Sequence, residues 1–255
     1  MHIVFRESHG LEEADVPQDL GQDGADLAVL SFSDSDLGAF AAGWQRLRGR
    51  GQVLPQVRLA NLAALRHPLS VDTYLDRTLL RAKGILLRLI GGESYWPYGL
   101  ASVQDLARRQ GIALAVLPAD GRVDPRLDAA STVPVALLRR LAALCDAGGA
   151  AAAEAALCLL AEAAGVPLSA PDLPPALPEF GFYRPCTGPC APPAAAPGRP
   201  LAVVAFYRAY LAAADLAPVD ALIAALEAQG FSAISLFATS LKHPAAARWI
   251  AEELT

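Results

Sequence analysis

The chain has 255 residues, 54% of them apolar, and a formal charge of −5 from 21 Lys plus Arg against 26 Asp plus Glu. That length suits one large domain or two small ones, and a mildly acidic balance with no basic stripe argues against nucleic-acid binding. No run reaches the roughly 18–20 apolar residues of a membrane span, and Met1–Ser8 becomes charged too early for a signal peptide, so the sequence reads as cytosolic.

His2–Ser8 reads as a first strand and Asp26–Ser33 as a second. Leu37, Phe40, Ala41, Trp44 and Leu47 then recur at helical spacing, which predicts a helix from about Ser35. Val57–Leu62 is a third candidate strand. Ser70 has the character of an N-cap, with Asp72 in the first turn favoured by the helix dipole. Val71, Tyr74, Leu75, Thr78 and Leu79 make that helix's buried face. Gly84–Ile90 is a near-continuous apolar strand, as expected of a sheet covered on both faces. The loop Gly91–Gly99 follows it. Ser102-x-x-Asp105 opens another helix, closed by Gly111. Ile112–Leu117 is a further strand, ended by Pro118-Ala-Asp-Gly-Arg122, and Pro134–Asp146 and Ala150–Ala164 read as two helices. This alternation over residues 1–165 predicts an α/β domain: a parallel, doubly wound sheet of Rossmann or flavodoxin type, flanked by helices.

Residues 166–200 read as a Pro-rich linker or covering segment, because Pro171–Pro200 holds 10 prolines, too many for regular structure. Residues 201–255 give a strand at Leu201–Tyr207, a helix from Pro218 closed by Gly230, a strand at Phe231–Phe237 and a helix at Ala245–Leu254. One βαβ unit with a trailing helix cannot bury both faces of a two-stranded sheet. The second block is therefore expected to be incomplete, the start of a second α/β domain in a longer polypeptide.

Ligands of open α/β sheets bind beyond the carboxyl ends of the strands, where the Gly91–Gly99 loop lies. Gly91-Gly92 permits close backbone approach, and Tyr95, Trp96 and Tyr98 offer flat surfaces with polar tips. Such a loop suits stacking on a planar ligand or anchoring a partner; the competing reading folds its aromatics back as a lid on the core. Asp34 and Asp36 could accept hydrogen bonds from a ligand or bind a metal, but N-capping and dipole neutralisation account for them more simply. His67 is a candidate base or ligand at a loop end, with a plain surface histidine as the simpler reading. Cys145 and Cys158 sit in apolar helical segments as small hydrophobes. Cys186-x-x-x-Cys190 lacks the two further ligands a zinc site needs nearby. There is no P-loop, no Gly-x-Gly-x-x-Gly, no Gly-x-Ser-x-Gly and no HExxH.

Several segments together resemble a known family. Ser31-Phe-Ser-Asp-Ser-Asp-Leu37, His67-Pro-Leu-Ser-Val-Asp-Thr-Tyr74, Arg88-Leu-Ile-Gly-Gly-Glu-Ser-Tyr-Trp-Pro-Tyr-Gly99, and Leu117-Pro-Ala-Asp120 with Asp124-Pro-Arg-Leu-Asp128 are similar to the N-terminal region of the cobaltochelatase large subunit (CobN). Phe206-Tyr-Arg208, Asp220–Glu227 and Leu236–Lys242 resemble the segment after it, and the magnesium chelatase large subunit is similar too. The resemblance implies a large subunit that binds hydrogenobyrinic acid a,c-diamide and cobalt(II) in aerobic cobalamin biosynthesis. It implies as partners two smaller subunits, one an AAA+ ATPase that uses Mg-ATP, and the remainder of a much longer large subunit. It carries no catalytic residue, metal ligand or bound cofactor onto this chain. The candidate substrate-binding set is Arg88, Gly91, Gly92, Tyr95, Trp96 and Tyr98, with Asp34, Asp36 and His67 beside them. Two other readings stay open: a stand-alone module for a small planar or phosphorylated ligand, and a structural interaction domain.

Overall fold

The computed structural model describes residues 16–51, 53–168, 176–193 and 196–254; the strand expected at His2–Ser8 lies outside them. The chain divides into two compact units, residues 1–174 and 175–255.

In the first unit, β1 (Leu27–Ser31) leads into α1 (Asp34–Arg48) and β2 (Val57–Asn61). A 3-10 turn and α2 (Pro68–Arg77) carry the chain to β3 (Gly84–Leu89), and α3 (Pro97–Gln110) to β4 (Ala113–Pro118). Three helices follow: α4 (Pro125–Ala130), α5 (Val135–Ala147) and α6 (Ala150–Ala163). The four strands are all parallel, in the order β2-β1-β3-β4. Every residue of β1 and β3 is buried, because each strand has neighbours on both sides and helices on both faces. On one face Ala28, Leu30, Ile85 and Leu87 pack against Tyr74 of α2 and Val103 of α3. On the other, Leu27, Val29 and Leu86 pack against Phe40 of α1, Leu141 of α5 and Leu157 of α6. This is the doubly wound arrangement expected from the sequence.

Helices α1 and α6 approach closely at Gly43, where a Cβ would stand 2.6 Å from the Glu154 backbone nitrogen. Glu154 is buried there, and its carboxylate is held by Arg46 at 2.9 Å and Arg50 at 2.7 Å. The open edge of β4 is closed by side chains: Thr132 Oγ1 accepts from Leu114 N at 2.7 Å and Ser131 Oγ from Val116 N at 3.0 Å.

Two local expectations are corrected here. Helix α2 begins at Pro68 with His67 as its cap, and Ser70 lies buried inside it. Pro68 at the first helical position needs no N–H partner, so it starts the helix earlier than Ser70 would. For the same reason α3 begins at Pro97 rather than at Ser102, so the second half of the aromatic loop is already helix. The short helix α4, capped by Asp124, lies in a stretch to which the sequence reading gave no element.

In the second unit, β5 (Phe180–Arg184) and β6 (Gly188–Cys190) form an antiparallel hairpin. β7 (Leu201–Tyr207), α7 (Arg208–Ala213), α8 (Ala217–Ala228), β8 (Ser232–Ala238) and α9 (Pro244–Glu253) follow. The sheet order is β6-β5-β8-β7, with β5 antiparallel and β7 parallel to β8. The hairpin corrects the expectation that residues 171–200 lack regular structure, and the two-stranded sheet becomes a four-stranded mixed one. Prolines 185 and 189 fall at the turn and in the outermost strand β6, where a missing N–H costs no ladder bond.

Candidate functional site

The strand order places β1 and β3 side by side although β2 separates them in sequence. The connections after β1 and β3 therefore diverge to opposite sides and leave a crevice at the carboxyl ends, the switch point at which doubly wound folds bind ligands. One wall is the β1–α1 turn, Phe32-Ser33-Asp34; the other is the turn after β3, Gly91-Gly92.

Arg88, the penultimate residue of β3, lies beneath this crevice with its side chain only 5% exposed. An isolated guanidinium there would be costly, and two carboxylates offset the cost. Its terminal nitrogens donate to Asp36 Oδ1 at 2.8 Å and Asp146 Oδ1 at 3.0 Å. Asp36 also accepts from Ser31 Oγ at 2.7 Å. The Arg88 Nε–H is buried with no protein acceptor. Ser33 caps α1 through its hydroxyl, to which the Asp36 N–H donates, and Asp34 accepts from Asn61 Nδ2 at 2.7 Å. Asp34 and Asp36 are thus separated in role: one tethers β2 to α1, the other neutralises Arg88.

The aromatic loop splits in three. Gly91 and Gly92 take φ of +79° and +74°, a region that favours glycine. Tyr95 leans over Gly91, where a Cβ would meet its ring at 3.2 Å, and stacks edge-on against Phe32 with centroids 5.2 Å apart. Its ring remains 54% exposed. Trp96 turns the other way into the core and donates from Nε1 to the Leu65 carbonyl at 2.8 Å. It lies so flat on α3 that a Cβ at Gly99 would stand 2.0 Å from its ring. Trp96 is therefore a buried anchor, and the lid reading describes it, while Tyr95 describes the exposed alternative. Tyr98 sits in the first turn of α3, half exposed, and donates to Asp72 Oδ1 at 2.7 Å. That bond raises its phenol above the ordinary value. Arg66, Tyr95, Trp96, Pro97, Tyr98 and Gly99 line an open hollow of about 490 Å³.

His67 is committed to structure: Nδ1 accepts from Leu69 N at 3.1 Å to cap α2. A larger cavity, about 690 Å³, lies at the opposite, amino end of β4 between Ile112, Leu137 and Leu159. The carboxyl-end crevice is the better candidate because loops, aromatic surface and a buried cation converge there. The sequence did not reveal Asp146 and Phe32 as members of it; the former lies 58 residues from Arg88 in the chain, and nothing local marks it. Cys186 and Cys190 occupy the β5–β6 hairpin, and among the described residues no group of three His, Cys, Asp or Glu is placed to hold a metal ion.

Residues 142–255 match the family described as CobN/Magnesium Chelatase. The chain is 35% identical over 95% of its length to an aerobic cobaltochelatase subunit CobN of a Sinorhizobium species. It is 32% identical over 96% of its length to the subunit of the same name from Pseudomonas aeruginosa. It spans 20% of the length of either relative. The catalytic subunit of cobaltochelatase from Mycobacterium tuberculosis has a similar fold, with a TM-score of 0.67 and 22% identity over 90% of this chain and 17% of that one.

Proposed function

The chain is a relative of the CobN/magnesium chelatase family, and from that premise we propose that it forms part of the large subunit of an aerobic cobaltochelatase. The observation that carries this reading is the match to two CobN subunits along at least 95% of the chain. The complete polypeptide inserts cobalt(II), its substrate, into hydrogenobyrinic acid a,c-diamide on the aerobic route to cobalamin. Two smaller cytoplasmic partner subunits, one an AAA+ ATPase, couple Mg-ATP hydrolysis to insertion, which makes the enzyme a ligase.

Insertion requires a macrocycle held in place, a metal stripped of water and protons taken from ring nitrogens. The switch-point crevice is suited to the first task. Tyr95 offers an exposed ring braced by Phe32, and Gly91 and Gly92 allow backbone to approach a flat ligand closely. Tyr98 adds a second exposed ring nearby, while Trp96 fixes the loop from below. Arg88 and Asp36 form a neutralised pair beneath the crevice and Asp34 ties β2 to α1 beside it, while His67 serves as the cap of α2. Arg88 spends both terminal nitrogens on carboxylates, which weighs against the alternative of a phosphorylated ligand.

The test is a titration of the full-length subunit with the corrin precursor. Tyr95→Ala is expected to weaken binding by about five- to tenfold, the loss of one aromatic stacking contact of roughly 1 kcal/mol, with the thermal midpoint unchanged. Unaltered affinity in a folded Tyr95→Ala variant would remove the loop from the substrate site.

A further inference from the structure

The second unit repeats the opening of the first. In the first, α1 and α2 lie on opposite faces of the sheet, α1 with Val29 and Leu59, α2 with Leu30 and Ala60. In the second, α8 packs with Val204 and Phe237, and α9 packs its Trp249 and Ile250 with Ile234 and Leu236 on the other face. The helices that follow β2 and β8 start alike: Leu65-Arg66-His67-Pro68 before α2, Leu241-Lys242-His243-Pro244 before α9, with proline in the first turn. Superposing these motifs puts Asn61 on Phe237. The strand registers then put Ser31 on Phe206 and Val29 on Val204. Ser31, Asn61 and Val29 lie on the sheet face that α1 covers, and Phe206, Phe237 and Val204 on the face that α8 covers. The second unit differs by the inserted α7 and by the β5–β6 hairpin beyond β8.

In the first unit β3 lies against the side of β1 that β2 leaves open; among the described residues no strand lies on the corresponding side of β7. Crossovers between parallel strands are right-handed. The chain passes from β7 to β8 by way of α8 on one face, so a crossover through α9 on the opposite face must run the other way, past β7. In the first unit the same reversal brings β3 against β1. Among the described residues β8 is β7's one strand partner. β1 is wholly buried, whereas Leu201 and Val203 of β7 are 50% and 42% exposed on the face that α9 covers only over β8 and β5. An apolar edge strand is a site for strand addition.

We infer that the free edge of β7 receives a parallel β-strand of the same polypeptide, the counterpart of β3, which follows α9. The relatives supply the length for it, since this chain spans a fifth of theirs. In the first unit β3 starts at Gly84, 17 residues after His67, which places the counterpart about as far past His243, beyond residue 255. The inference rests on topology and is independent of what the Gly91–Gly99 loop binds.

Hydrogen exchange on the full-length subunit and on the 255-residue chain tests it. Peptides covering Leu201–Tyr207 are expected to exchange about tenfold or more slowly in the full-length protein than in the shorter chain. Val203→Lys should leave the thermal midpoint of the shorter chain unchanged and abolish that extra protection in the full-length protein. Equal exchange of β7 in both proteins would overturn the proposal. So would protection that appears in the 255-residue chain as its concentration rises together with a dimer mass, since the occupant would then be a second copy.

Discussion

Two neighbouring residues, Trp96 and Gly99, decide how the aromatic loop is presented. The Trp96 ring occupies the space that any side chain at Gly99 would need. Gly99→Ala is therefore expected to displace the indole, break its bond to Leu65 and cost about 1–3 kcal/mol, read as a lowered denaturation midpoint with a changed near-ultraviolet dichroism. The thiols are a second case. Burial pushes Cys158 up to about 11 and Cys145 up to about 12, against an ordinary value of 9.0. The folded state keeps these protons while the unfolded chain loses them, so this stabilisation is complete below pH 9 and declines as pH rises from about 9, to about 11 for Cys158 and about 12 for Cys145. A Cys145→Ala/Cys158→Ala variant should show a shallower fall in denaturation midpoint between pH 8 and 10 than the parent. An identical slope in both proteins would contradict the assignment. At this scale the sequence was only partly legible. It marked Tyr95, Trp96 and Tyr98 as a group, but which way each ring turns depends on Phe32, Leu65 and Asp72, which belong to other elements.

Elements were read more completely, because period and punctuation act locally. The apolar runs at β1, β3 and β4 and the helical spacing in α1 located each element. Boundaries slipped where proline opened a helix, at Pro68 and Pro97, and where a hairpin passed through a proline-dense stretch. The ion-paired contact between α1 and α6 was not legible, since Arg46 and Glu154 are 108 residues apart. It makes an asymmetric prediction. Glu154 is 1% exposed, while Arg46 and Arg50 are 50% and 41% exposed. Removing both arginines strands a buried carboxylate, so Arg46→Ala/Arg50→Ala should cost about 3–5 kcal/mol, whereas Glu154→Gln, which leaves two solvated cations, should cost clearly less. Chemical denaturation of the two variants checks the ordering; equal losses would contradict it.

At the scale of the molecule, a doubly wound unit with order β2-β1-β3-β4 brings a glycine turn, an exposed tyrosine and a neutralised arginine to one switch point. A second unit repeats its opening and leaves a sheet edge free. The parallel sheet was legible because buried strands alternate with helices. The mixed second sheet was not, because β5 pairs with β8 across more than fifty residues. The proposed function joins this sequence to the large subunit of a cobaltochelatase and gives its switch-point loop the task of holding the macrocycle. Its most direct test is cobalt insertion by the full-length subunit with its two partners and Mg-ATP, measured for the parent and for Tyr95→Ala. Insertion is expected from the parent and, in the variant, a corrin KM raised about five- to tenfold with kcat nearly unchanged. A parent complex that binds the corrin precursor yet inserts no cobalt, or a variant with unaltered KM, would contradict it.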